Sequence, residues 1–297
     1  MRAAAVGLMA WLAGMAFLPG PLVERMLLAG PLIVVPSLLS VLPTRAIASR
    51  LTTVDLAPWP ALAAALLLLP TFAVPAGPVA AALCLPWLLI CGSTALAGVR
   101  HGLTNLPEVL HPRNSAQLAT DAALVYLLVG GSFLFAHRAG VDVLSFSPLI
   151  VLLTAVHYHF VGFGLLAVTA TLAAGQRRVG VVAALALVAG MPVTAVGFTL
   201  GAPQINWLGS VLVVVGGMCA ALLLLQAAVR GSSGVQRVLP FAASIALALG
   251  VPLGLAWATS MLLGDVPVDI ETMVRTHGAL NGVGLLLATF HAVGRRA

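Results

Sequence analysis

Apolar residues fill this chain in long stretches broken only by short polar connectors. The stretches do not alternate apolar with polar positions, which excludes the strands of a membrane β-barrel. Runs of this length suit helices, which satisfy their own backbone hydrogen bonds inside hydrocarbon. Ten spans are predicted: Ala4–Leu18, Leu22–Leu42, Pro58–Val74, Val79–Val99, Thr120–Ala136, Ser147–Ala173, Val179–Leu200, Trp207–Val229, Pro240–Leu263 and Ile270–Val293. The expected fold class is all-α, a polytopic transmembrane helical bundle, with residues 1–297 read as a single integral membrane domain. The run after Arg2 imitates a signal peptide as far as Pro19-Gly20-Pro21. It is read as a retained first span because the apolar pattern resumes at once. No polar stretch is long enough to bury a core of its own, and no internal repeat is visible. Pro31, Pro36, Pro86, Pro192 and Pro252 are expected to bend their spans.

Composition sharpens this picture. Hydrophobic residues make up 61% of the chain and charged residues 7%, with a mean hydropathy of +1.12. Soluble domains carry roughly 25% charged residues, so there are too few charges here to cover a water-exposed surface. The net charge of +6 rests on arginine alone, for the chain has no lysine. In a soluble protein such a balance would suggest nucleic acid; here the arginines lie in connectors, the partner is the lipid bilayer, and no nucleic-acid partner is expected. With both termini in the cytoplasm, Arg2, Arg45, Arg50, Arg100, Arg113, Arg177, Arg178, Arg230, Arg237, Arg295 and Arg296 share the inner side. Arg25, Arg138 and Arg275 fall toward the other. This asymmetry obeys the positive-inside rule and favours an even number of spans. Cys84, Cys91 and Cys219 all lie inside apolar runs, and an odd set so placed does not read as a disulfide framework.

Against this background a few polar residues stand out, because ionisable groups at membrane depth are costly and tend to mark function. His157 and His159 flank Tyr158 in the sixth span. Two residues apart on an α-helix, they point about 200° from each other, so one metal ion cannot take both. In the last span Arg275 and Thr276 precede His277 and Asn281, which share a face four residues apart. Gly278 and Gly282 repeat that spacing as a docking seam for another helix. Glu24 and Arg25 lie near the start of the second span. The bland alternatives are histidines bonded to nearby backbone, an Asn–His pair that glues helices, and a Glu24 carboxylate paired with Arg25 or Arg275. On the arginine-rich side, His101, Asn105, Glu108, His111 and Asp121 form a further group; Glu108 and Asp121 read as a proton-acceptor pair or as solvated loop charges, the loop reading being preferred. Walker loops, dinucleotide fingerprints, H-E-x-x-H, paired CxxC and the serine nucleophile elbow are all absent from the sequence.

The run Leu153–Phe163, LTAVHYHFVGF, resembles the LTAxHFHYAGF signature of the YndJ-like bacterial membrane proteins. Thr276–Asn281 resembles that family's THGxxN segment in a late span. Asp121, Tyr126, Arg138 and the Glu24…Pro31…Pro36 pattern resemble it as well. The order of Tyr158 and Phe160 is swapped and Val161 stands where the family tends to have alanine, changes of packing more than of chemistry. The resemblance implies a multi-pass protein of the bacterial cytoplasmic (inner) membrane, in a family sometimes labelled a transporter. A His-x-His pair around an aromatic is also similar to haem-copper oxidases. The further adjacent histidine pair of that family is missing here and the spans are fewer, so haem is not favoured and no cofactor is expected; a metal or haem protein, which seven histidines allow, is kept as a third reading.

These residues suggest one hydrocarbon-walled chamber. The first expectation is an intramembrane enzyme: Glu24, His157, His159, His277 and Asn281 as the catalytic set, with Arg275, Tyr158 and Thr276 contacting the substrate. Acid–base chemistry without a covalent nucleophile fits isomerisation, cyclisation or epoxide opening of an apolar lipid-like, isoprenoid or polyketide substrate. The alternative is a proton-coupled transporter of a small or amphipathic molecule, in which the same groups relay protons.

Overall fold

The computed structural model describes residues 2–42, 57–105, 111, 114–173, 177–232, 234–265 and 268–295. Glu108, Arg45, Arg50, Arg113 and Arg296, named above, lie outside the described residues. Every predicted span falls on helix, and no strand occurs among the described residues. The helical runs are α1 (Arg2–Phe17), α2 (Leu22–Leu39), α3 (Pro58–Thr71), α4 (Pro78–Thr104), α5 (Ser115–Ala139), α6 (Pro148–Leu172), α7 (Arg177–Thr199), α8 (Pro203–Arg230), α9 (Val235–Leu263) and α10 (270–294). Seven of these, α2 and α4–α9, are long and apolar enough to cross a membrane; α1 and α3 are shorter apolar helices. The polar stripe of α10 keeps it out of that set.

Local chemistry sets the ends. Proline opens α3, α4, α6 and α8, where its missing N–H costs nothing. Ser147 Oγ accepts from the Ile150 N–H at the start of α6. Asp269 does the same for Thr272 before α10, at 2.7 Å. Gly264, at φ +76°, ends α9 in the left-handed conformation that glycine adopts freely. Pro86, Pro192 and Pro252 lie inside continuous helices.

Three segments wind as π-helix: Gly30–Val34 in α2, Tyr158–Leu165 in α6 and Val274–Gly278 in α10. In the first, Pro31 has no N–H to offer the preceding turn, and the Val35 N–H reaches back five residues to the Gly30 carbonyl. The second and third coincide with the histidine motifs, as π segments often do at functional sites.

The chain divides into two compact units. The first contains α1–α4, α5 from Thr120 onward and α6 up to Ala167. Its centre is α2, where Leu27, Leu28, Leu32, Ile33, Val34, Val35 and Leu38 are all fully buried. A helix apolar all round belongs inside a bundle, and α1 lies so close that a Cβ at Gly7 would strike the Leu32 carbonyl. The second unit stacks α7 on α8, α8 on α9 and α9 on α10. Small residues let α7 and α8 touch backbone to backbone: a Cβ at Gly197 would lie 2.3 Å from the Asn206 nitrogen, and one at Gly209 2.3 Å from the Thr194 nitrogen.

Candidate functional site

The motif histidines of α6 part company. His159 is fully buried, whereas His157 is exposed and its Nδ1 bonds the Leu153 carbonyl at 2.7 Å. Trp87 of α4 donates its indole N–H to His159 Nε2 at 3.1 Å. A nitrogen that accepts from an N–H carries no proton, so the proton of the neutral ring is on Nδ1. Nδ1–H donates to the Ala155 carbonyl at 2.8 Å. Both nitrogens are thus occupied, and protonating Nε2 would set two donors face to face. The rings lie nearly parallel, 20° apart with centroids at 5.8 Å. Two glycines make the room: a Cβ at Gly130 would come 2.8 Å from His159 Nδ1, and one at Gly30 3.1 Å from His159 Cβ. Tyr158 is buried edge-on against Tyr126 of α5, with centroids 5.6 Å apart.

Glu24 sits elsewhere in the same unit. Its Oε1 is 3.6 Å from His137 Nε2, and the two side chains are only 16% and 12% exposed. Neither ring nitrogen of His137 makes a hydrogen bond, and both are buried. Next in sequence, Arg138 is 6% exposed and donates through Nη2 to the carbonyls of Thr71 and Val74, both at 2.7 Å. Thr71 is the last residue of α3, whose negative end favours a cation, and Val74 lies in the bend just past it. The guanidinium lies 4.8 Å above the Phe72 ring, its Nε is buried without a partner, and it attracts the Glu24 carboxylate electrostatically. The bland reading of Glu24 needs correcting. Arg25 turns away, donating to the Met15 carbonyl at 3.0 Å while its own carbonyl accepts from the Trp11 indole.

The other end of α5 carries a second carboxylate–imidazole pair. Asp121, 6% exposed, meets His101 Nδ1 of α4 through Oδ2 at 3.0 Å. Asn105 donates to the His101 carbonyl at 2.9 Å. Asp121 is therefore a buried helical residue and not the solvated loop charge expected. Asp121 already lay just inside the predicted span Thr120–Ala136, at its wet end; because the helix continues back to Ser115, Asp121 stands well inside it, against α4.

In the second unit, His277 Nδ1 bonds the Gly250 carbonyl of α9 at 2.9 Å. The Asn281 amide donates to the His277 carbonyl at 2.9 Å and lies 3.1 Å from Nδ1. The glycines that clear this contact are on α9: a Cβ at Gly250 would lie 2.8 Å from Asn281 Oδ1, and one at Gly254 2.8 Å from His277 Cε1. Gly278, expected in the seam, has no neighbour nearer than 3.8 Å. Thr276 is exposed and bonds the Thr272 carbonyl one turn back. Arg275 is also exposed and pairs with Glu271 on its own helix at 2.6 Å, an arrangement worth about 0–1 kcal/mol at a wet surface.

The structure thus joins Glu24 to His137, and His277 to Asn281, while His157 and His159 diverge. The sequence reading missed Trp87 and the role of His137. Both left a signal: a buried indole N–H needs an acceptor, and a histidine next to an arginine at a span end faces whatever carboxylate shares that end.

The sequence profile described as YndJ-like protein matches residues 25–285. The chain belongs to the YndJ-like family. A curated relative, the uncharacterized membrane protein YndJ of Bacillus subtilis (strain 168), is 50% identical over 40 residues, which is 14% of this chain and 7% of that protein. The chain's match therefore spans only a small part of that relative's length. No solved structure matches. Family and structure together make this YndJ-like chain an integral, multi-pass membrane protein built of helices.

Proposed function

We propose that this YndJ-like protein is a proton-coupled transporter of a small or amphipathic molecule. One observation carries the reading: α5 bears a carboxylate–imidazole pair toward each end, Asp121 with His101 and His137 with Glu24. Asp121 and His137 are sixteen residues apart, which is ~24 Å along a helix at ~1.5 Å per residue. That approaches the ~30 Å of a bilayer's hydrocarbon core. An enzyme needs acid and base within reach of one reacting bond. Two proton-exchanging pairs near opposite faces suit a protein that takes a proton up on one side and gives it up on the other. With the N-terminus inside, the Glu24–His137 pair faces outward and the Asp121–His101 pair inward.

The acid–base enzyme expected from the sequence finds less support. Both nitrogens of His159 are occupied, and Nδ1 of His277 is held by a neighbouring backbone carbonyl. Glu24 is the residue common to both readings. The test is proton flux into proteoliposomes that contain a pH-sensitive dye, driven by an imposed potential and screened with a panel of small amphipathic solutes. Transport predicts solute-dependent proton entry that Glu24→Gln and Asp121→Asn each abolish. If Glu24→Gln alone alters function and Asp121→Asn behaves as wild type, the two-ended reading is wrong.

A further inference from the structure

We propose that the end of the first unit holding Glu24, His137 and Arg138 is a binding site for a monocarboxylate, with the Glu24 carboxylate as its resident occupant. The inference rests on the transporter reading for its purpose but not for its geometry. Glu24 stands against His137 Nε2 at 3.6 Å, longer than a hydrogen bond, and both His137 nitrogens and Arg138 Nε are buried without a partner. Arg138 Nε–H and the one N–H of a neutral His137 are donors suited to a carboxylate, and the group that stands beside His137 and is attracted by Arg138 is one. Gly20, at φ +104°, sets the carboxylate's back wall: a Cβ there would come 2.6 Å from Glu24 Oε2. Arg138 is held in place by two carbonyls and a phenyl ring, so it does not follow Glu24 if Glu24 leaves.

Charge balance makes the exchange proton-dependent. In the proposed resting site an ionised Glu24, a charged Arg138 and a neutral His137 sum to no net charge. Adding an anion would leave one uncompensated negative charge at low exposure, which is expensive. If Glu24 takes one proton from the aqueous phase as the anion arrives, the sum returns to zero. The incoming carboxylate then accepts from Arg138 Nε–H and the His137 N–H, and protonated Glu24 swings aside. When the anion departs, Glu24 loses that proton and resumes its place. Other titratable groups of the neighbouring elements are engaged elsewhere: Arg25 bonds the Met15 carbonyl, Cys84 of α4 interacts with Arg138, Asp142 after α5 accepts from the Ser145 N–H, and His157 of α6, exposed, bonds the Leu153 carbonyl. The described parts of α1 and α3 place no titratable side chain at this end.

The experiment is calorimetry of benzoate binding to the full chain in lipid nanodiscs, run at neutral pH in two buffers of different ionisation enthalpy, with empty nanodiscs subtracted. Saturable binding with about one proton taken up per benzoate is expected, the affinity falling about tenfold per unit rise in pH where Glu24 is ionised. Glu24→Gln keeps the shape of the site and removes the proton. It should bind benzoate at least as tightly, with proton uptake near zero. Arg138→Gln should lose binding at least tenfold while a folded far-ultraviolet spectrum is kept. Absence of saturable binding in the wild type, or proton uptake unchanged in Glu24→Gln, overturns the proposal. The two readings fail separately. Flux that needs both Glu24 and Asp121 without benzoate binding removes only this site. Proton-linked binding without a flux role for Asp121 removes only the transporter.

Discussion

Replacing Trp87 with phenylalanine tests whether His159 is a neutral structural residue. The change keeps an aromatic ring beside the imidazole but deletes the N–H that meets Nε2 at 3.1 Å. His159 is fully buried, so no water takes the vacated place and the acceptor stays unsatisfied. Such a loss costs about 1–3 kcal/mol in protein interiors. Interhelical hydrogen bonds in membranes average nearer ~0.6 kcal/mol and reach ~1.7, so about 1–2 kcal/mol is expected from the bond. The lost part of the indole adds a packing cost. A cycle with His159→Leu separates the two, because packing lost by Trp87→Phe persists when the imidazole is absent while the hydrogen bond does not. The coupling should be about 1 kcal/mol. Unfolding in mixed micelles can be followed by the reactivity of Cys84 and Cys91, which are buried free thiols in the folded chain. Two additive single mutants would refute the bond, and with it the assignment of the Nδ1–H tautomer.

Other expectations follow from the same packing. Gly130→Val would drive a side chain into His159 Nδ1 and Tyr158 Cβ; overpacking of this kind costs about 1–3 kcal/mol, read in the same unfolding assay. Gly197→Leu should separate α7 from α8, where the clearance to the Asn206 backbone is already filled; a cysteine cross-linking pair placed across that seam should then stop reacting. Thr71→Ala should leave Arg138 in place, since the bond is to the backbone carbonyl, whereas Arg138→Met should lower stability by about 1.5–3 kcal/mol for the lost charged hydrogen bonds. Asp269 caps α10, and the Thr272 N–H holds its carboxyl below the usual 3.8. A depressed folded value means that its contribution is present above the unfolded value and is lost as pH falls through the folded one. The protection factor of the Thr272 amide, taken against its intrinsic exchange rate, should therefore fall in acid, and Asp269→Asn should remove that pH dependence while keeping the cap.

The helices were legible because backbone satisfaction in lipid leaves few alternatives, and the apolar runs between polar connectors marked where they lie. Partnerships were not legible, because they depend on rotation about the helix axis. The two-residue spacing of His157 and His159 did predict opposite directions, and the π winding of Tyr158–Leu165 preserves that divergence. Nothing in the spacing said which of the two would face Trp87. A Glu24 pair with Arg25 or Arg275 was the bland alternative to a catalytic role; consecutive helical residues point about 100° apart, and Glu24 meets His137 while Arg25 bonds the Met15 carbonyl. The seam between α9 and α10 is made from both sides: Gly250 and Gly254 of α9 clear Asn281 and His277, and Gly284 of α10 clears Leu247, where a Cβ would come 3.0 Å from Cγ; spacing along α10 alone does not say which glycine of the opposite helix makes room for the histidine.

The most direct measurement is infrared difference spectroscopy of the chain in lipid, scanned across pH. If the Glu24–His137 end exchanges protons with water, a protonated-carboxyl band should appear and disappear with pH and should vanish in Glu24→Gln. A wild-type chain with no such band, or a band unchanged in Glu24→Gln, would contradict it.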